Sequence, residues 1–176
     1  ALDESGGDFK KAIEYLRKKG MSAATKRSSK AAKEGVISSY IHMGGRIGVM
    51  VEVNCETDFV AKTEDFQTMA KDIAMHVAAA NPTFLRPEEI PPAVLEQEKE
   101  IYRSQALAEK KPEKIWDRII EGKLKKYYEE VCLLQQKFVK NTDITVETLV
   151  NNMIAKTGEN IVVRRFARFQ LGEDLK

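Results

Sequence analysis

The run VEVNCETDFVAKT, Val51 to Thr63, gathers most of the side chains in this sequence that could do chemistry. It carries a strand-like alternation straight into Cys55-Glu56-Thr57-Asp58-Phe59-Val60. A nucleophilic thiol, a carboxylate metal site or an aromatic anchor for another protein would each put such residues at a strand end. Covalent catalysis by Cys55 requires a base within hydrogen-bond reach and a further group to orient that base. The chain has two histidines, His42 and His76, and neither sits in the context of a known nucleophile. A lone cysteine at a strand end is more often a small buried hydrophobe. Glu52, Glu56 and Asp58 alternate, but no histidine or glycine-rich loop stands at ligand spacing, so a solvated strand edge is the simpler reading. Neither a catalytic residue nor a metal or cofactor is expected.

Other motifs are weaker. GGRIG, Gly44 to Gly48, matches neither GxxxxGK[ST] nor GxGxxG, and a tight hairpin explains its glycines, so direct nucleotide binding is not expected. Two basic segments, Lys26-Arg27-Ser28-Ser29-Lys30 and Arg164-Arg165-Phe166-Ala167-Arg168, could touch phosphates. Against RNA as the main partner stands the near-balance of 29 basic and 27 acidic residues, a net charge of +2. Phe59 admits two readings of similar weight. It could be a core residue, or an exposed aromatic on turn chemistry, Thr57-Asp58, presented to a partner's pocket.

The chain's 176 residues suffice for one sizeable core, with a small extra module possible at one end. Hydrophobic residues make up 43% and charged residues 32%, too apolar for a disordered chain. Cys55 and Cys132 lie far apart and form no CxxC pair, which argues against a disulfide framework or zinc site and fits a reducing, cytoplasmic compartment. No apolar run approaches the roughly 20 residues that span a bilayer, so no membrane is expected as a partner. The chain opens on Ala1, inside an element rather than at Met, and residues upstream of it are expected.

The elements that position these residues can be read from periodicity. Residues 1–20 predict the end of one helix, a Gly6-Gly7 turn and a second helix capped by Asp8 and stopped by Gly20, with Phe9, Ala12, Ile13 and Leu16 on one face. This is the remnant of a small helical module. Residues 21–35 read as a basic linker, and 36–176 as the core. Val36 to Asn54 predicts a hairpin about Gly44-Gly45, with Ile47, Val49, Val51 and Val53 facing one way. Gly48 within the second strand marks a close approach. A helix from Thr63 to Ala80 buries Phe66, Met69, Ala70, Ile73 and Val77. Two charged helices, 93–108 and 112–134, predict a protruding helical hairpin. A last helix, Thr145 to Lys156, presents Val146, Leu149, Val150, Met153 and Ile154 and ends at Gly158, and a strand covers Ile161 to Leu171. Helices and strands are segregated, so the class is α+β: a small antiparallel sheet packed with helices.

EVNCETDFVAKTEDFQTMAKDIAMHVAAANP resembles elongation factor Ts, the nucleotide-exchange factor of the GTPase elongation factor Tu. Thr57, Asp58, Phe59 and Val60 match the family signature at every position, and GGRIGVMVEVN, EGKLKKYYEEVCLLQQKFVKN and TGENIVVRRFARFQLGE extend the likeness over nearly the whole chain. The spacing is similar to the family's compact, single-core form. The resemblance implies that the N-terminal module and the TDFV turn meet the GTPase domain, with Phe59 wedged between its helices and Asp58 beside it. It implies that His76, with Ile47 and Gly48, contacts another domain of the same partner. Phe138 and Val139 also match partner-binding positions, whereas Lys140 stands where some members carry Met. The compact members act as homodimers in a 2:2 complex, so 36–176 is expected to be a dimerisation domain too. A further helix with a Met and a Lys pair normally precedes the residues that open this chain. The alternative reading is an RNA-binding accessory protein of the translation apparatus, using Lys26, Arg27, Lys30, Arg164 and Arg165.

Overall fold

A buried row of valines organises the molecule. The computed structural model describes residues 1–174, and in it the expected hairpin forms from β1, Glu34–Ile41, and β2, Ile47–Cys55. The last strand, β5, Val162–Gln170, pairs with the other edge of β2, so β2 is the central strand of an antiparallel sheet ordered β1-β2-β5. Side chains alternate across a strand. Val49, Val51 and Val53 therefore share one face and are almost wholly buried, while Met50 projects from the other. Against the valine face pack α3, Glu64–Ala80, and α6, Val146–Thr157. The α3 stripe of Phe66, Met69, Ala70, Ile73 and Val77 is buried as its period predicts, and α6 adds Val146, Val150 and Ile154. Thr63 and Thr145 cap the two helices, accepting from Phe66 and Thr148 backbone N–H groups, and Gly158 closes α6 in the left-handed conformation.

The first helix departs from expectation. Asp8 caps it as predicted, but α1 runs Phe9–Arg27, straight through Gly20. Glycine in a helix interior costs about 1 kcal/mol relative to alanine, which weakens a helix without ending it when packing holds both sides. Gly20 is buried against α6, where an added Cβ would lie 3.7 Å from the Ala155 Cβ. Met21 to Arg27, expected to belong to a linker, is rich in good helix formers and continues the helix, so only 28–33 connect α1 to β1. The expected apolar face is split: Ala12 is buried, whereas Phe9, Ile13 and Leu16 are exposed.

The two charged helices, α4, Pro92–Ala108, and α5, Trp116–Val131, fold back on each other. Lys123 Nζ donates to Gln105 Oε1 at 2.5 Å and sits over the Tyr102 ring. Only Ala106, Ile120 and Leu124 are fully buried in the two helices, which leaves the hairpin half solvated. The helix expected to reach Leu134 ends at Val131. Cys132 turns extended and pairs with Phe84 in a parallel bridge, and Leu133 and Leu134 donate to the Phe84 and Leu85 carbonyls. That pairing draws Cys132 and Leu133 into the core, which rewards the exit from the helix. A two-stranded ribbon absent from the sequence reading follows: β3, Lys137–Phe138, and β4, Asn141–Thr145.

Two glycines test this packing in opposite directions. At Gly35 in β1, φ is +140° and an added Cβ would meet the Val53 carbonyl oxygen at 2.2 Å. Gly35→Ala is expected to destabilise the fold by roughly 2–3 kcal/mol in a denaturant titration. Gly122, inside α5 with open space around it, should give the reverse sign, a gain of up to about 1 kcal/mol on mutation to Ala.

Candidate partner-binding site

The segment after β2 is a short helix rather than a turn. Thr57 caps α2, Asp58–Ala61, its hydroxyl oxygen accepting from the Val60 backbone N–H at 3.4 Å. This helix lies directly against the hairpin, and on it Phe59 is 82% exposed. The core reading of Phe59 is thereby excluded. Ala61 points inward instead and is buried. Asp58 is exposed and ion-paired with Lys62 at 2.6 Å, which holds its carboxyl below the usual range.

What fixes α2 in place is a lacing that no local signal announces. Glu159, just past the end of α6, accepts from the Glu56 and Thr57 backbone N–H groups at 3.2 and 3.1 Å. Its other oxygen takes the Thr57 hydroxyl proton at 2.6 Å. Glu56 reciprocates by accepting the Asn160 backbone N–H at 2.7 Å, with the Arg27 guanidinium 3.7 Å away. The buried Asn160 side chain donates in turn to the Lys30 carbonyl. The end of β2, the α6–β5 loop and the exit of α1 are thus tied at one place.

His76, Phe138 and Val139, far apart in sequence, do come together. His76 has no exposed surface. Its Nδ1 accepts from the Val139 backbone N–H at 3.2 Å, so Nε2 carries the hydrogen and donates to Gln136 Oε1 at 2.9 Å. Gln136 is oriented by its own donation to the Glu130 carbonyl. The Phe138 ring lies 6.1 Å from the imidazole and is buried, while Val139 is exposed. Ile47 and Gly48 begin β2, and the eight residue-to-residue steps from Ile47 to Cys55 span about 26 Å at the usual rise. These candidates therefore occupy the opposite end of the strand from Phe59. An added Cβ on Gly48 would meet the Ile41 Cδ1 at 3.1 Å, so its cross-strand neighbour makes the close approach.

The remaining chemical candidates are accounted for structurally. Cys55 is buried, donates to the Thr57 carbonyl, and has its thiol pushed up to about 11, first by burial and then by the Glu159 charge. A thiolate nucleophile needs the opposite environment. The two histidines hydrogen-bond elsewhere, His42 with Tyr40 and His76 with Gln136. Glu52, expected to be a solvated carboxylate, is engaged by Arg165 at 2.7 Å and Arg164 at 3.7 Å. A bulge opposite Glu52 and Val53 lets two successive arginines reach one carboxylate. No helix among the described residues is long and apolar enough to cross a membrane.

Comparison with known proteins bears on this geometry. The family model described as elongation factor TS matches residues 10–173. Over its full length the chain is 81% identical to elongation factor Ts of Syntrophus aciditrophicus, covering 88% of that protein. It is 58% identical over its full length to elongation factor Ts of Geotalea daltonii, covering 82% of it. Over 99% of the chain it is 57% identical to elongation factor Ts of Heliobacterium modesticaldum, covering 81% of that relative.

The histidine arrangement has a pH signature. Burial lowers the His76 pKa, and the hydrogen bond to Gln136 opposes it only in part. A base whose folded pKa lies below its unfolded value contributes fully above the unfolded value, about 6.5, and loses that contribution as pH falls. Unfolding free energy should therefore drop between pH 7 and pH 5 more steeply in the native chain than in His76→Gln. Parallel pH profiles would contradict the neutral tautomer.

Proposed function

The chain belongs to the elongation factor Ts family of translation elongation factors, and on that premise we propose that it releases GDP from elongation factor Tu by inserting Phe59. The observation that carries the reading is an aromatic side chain left 82% exposed on a capped helix at the end of a paired hairpin. Leaving Phe59 in water sacrifices hydrophobic stabilisation within the chain, and a partner pocket restores it. Phe59 enters between helices of the GTPase domain with Asp58 beside it, and the displacement disturbs the Mg²⁺ and phosphate contacts of bound GDP. Thr57 and Val60 shape the inserted helix.

The mechanism needs no bond-making step, so the chain acts by binding rather than as an enzyme. Interface energy favours the nucleotide-free partner over its GDP complex. By linkage, the factor by which GDP weakens the chain's hold on the partner is the factor by which the chain weakens GDP binding. A second contact with the partner falls at the other end of β2, through Ile47 and Gly48, and through Val139. His76 and Phe138 are buried, so their part is to hold Val139 in place.

Homodimerisation completes the reading. The outer face of the sheet exposes Ile37, Ile41, Met50 and Phe169, and a sheet face with such a row is ordinarily covered. A second copy would cover it and carry a second partner molecule in a 2:2 complex. The setting of the proposal is protein synthesis in the bacterial cytoplasm, or in an organelle of bacterial descent; the bacterial origin of the relatives supports the former. For RNA binding, Arg164 and Arg165 are already paired with Glu52, and no observation raises that alternative.

GDP release from elongation factor Tu, followed by fluorescence, tests the proposal. The native chain should accelerate release, and Phe59→Ala should slow the accelerated rate at least tenfold, equivalent to about 1.4 kcal/mol. The variant should unfold at the native midpoint, because Phe59 lies outside the core. Equal rates for the two would contradict insertion.

A further inference from the structure

We infer that Glu159 is a positioning residue that aims Phe59, through Thr57, and this inference rests on the exchange function proposed above. Its carboxylate is the acceptor for three donors at the base of α2: two backbone N–H groups, of Glu56 and Thr57, and the Thr57 hydroxyl. The hydroxyl has a single proton. By taking it at 2.6 Å, Glu159 turns the lone pairs of Thr57 Oγ1 toward the helix, where one accepts from the Val60 N–H. Thr57 thus joins Glu159 to the first turn of a helix only four residues long. So short a helix is not held by its own hydrogen bonds. Its direction, and with it the direction of Phe59, is set by this base together with the burial of Ala61 against the core.

The anchor of that base is well fixed. Glu159 follows Gly158, the left-handed cap of α6, and precedes the buried Asn160 and strand β5. Glu56 binds back across the same gap to the Asn160 N–H, so neither strand end can shift alone. The carboxylate is also partly buried, where hydrogen bonds to a charged group are stronger than neutral ones. Thr57 and Glu159 are 102 residues apart in sequence, and the pairing gives a role to a residue that lies outside the TDFV signature.

A double-mutant cycle on GDP release separates aiming from general support. Glu159→Gln keeps the side chain's size but replaces one acceptor oxygen with an NH₂ group, which faces donors. The accelerated release rate should fall about tenfold. In a Phe59→Ala background the same substitution should change the rate by less than about twofold, because nothing remains to aim. A tenfold loss in both backgrounds, or a native rate for Glu159→Gln, would overturn the inference while leaving exchange by Phe59 intact. Failure of the native chain to accelerate release would instead overturn the exchange function itself. If Glu159→Gln does not fold, Thr57→Val and Thr57→Ser read the same hydroxyl bridge. Ser, which keeps the hydroxyl, should release GDP about tenfold faster than Val, and equal rates for the two would overturn the inference.

Discussion

Double pairing of β2 is the constraint from which the rest of the structure follows. With β1 on one edge and β5 on the other, its backbone donors and acceptors are satisfied, and its inward valines are sealed beneath α3 and α6. Each valine so buried contributes on the order of 1.5–3 kcal/mol. A strand held on both edges and one face cannot bend or slip by a residue without turning that row to solvent. Both of its ends become fixed points about 26 Å apart. Ile47 and Gly48 sit at one, and α2 with its exposed Phe59 is tied to the other. The partner contact proposed at two separated places uses such a ruler.

Around this core the described residues leave apolar side chains in water at several places, three groups of which bear on partner binding. Phe59 stands on α2, the row of Phe9, Ile13 and Leu16 lines the first half of α1, and Ile37, Ile41, Met50 and Phe169 cover the outer sheet face. None is needed for the fold, whose core closes without them. A protein that functions by being complementary to other chains must carry such residues, and rigid elements limit the entropy lost when they are covered. The acidic and basic groups show the same division. Those near α2 and the bulge of β5 are engaged in lacing and pairing within the chain rather than offered as a charged field.

Much of this was legible in the sequence because its signals are local. Alternation about Gly44-Gly45 defined the hairpin, and period 3.6 defined the buried stripes of α3 and α6. The Thr caps at 63 and 145 mark their starts. Gly20 misled, because a helix-ending glycine and one buried against another helix look alike until the packing partner is known. The end of α5 misled for a related reason, since the helical period runs on through Val131 to Leu134, whereas Cys132 and Leu133 are buried by leaving the helix and pairing with Phe84. At the site, the signature Thr57-Asp58-Phe59-Val60 could be recognised, yet the exposure of Phe59 stayed open on residues alone. Glu159, Asn160 and Gln136 went unnoticed. Their partners lie far along the chain, and no spacing rule links a Glu after a helix cap to a threonine 102 residues earlier.

The central claim is that the chain's contact with elongation factor Tu is stronger when the nucleotide is gone, and that Phe59 carries part of the difference. The most direct measurement is a calorimetric titration of this chain into nucleotide-free and into GDP-saturated elongation factor Tu. The account predicts tighter binding to the nucleotide-free form, with the ratio of affinities equal to the ratio by which the chain weakens GDP binding. It also predicts a smaller ratio for Phe59→Ala. Equal affinity of the native chain for the two forms would contradict it, because a ligand that does not discriminate between two states cannot shift one toward the other.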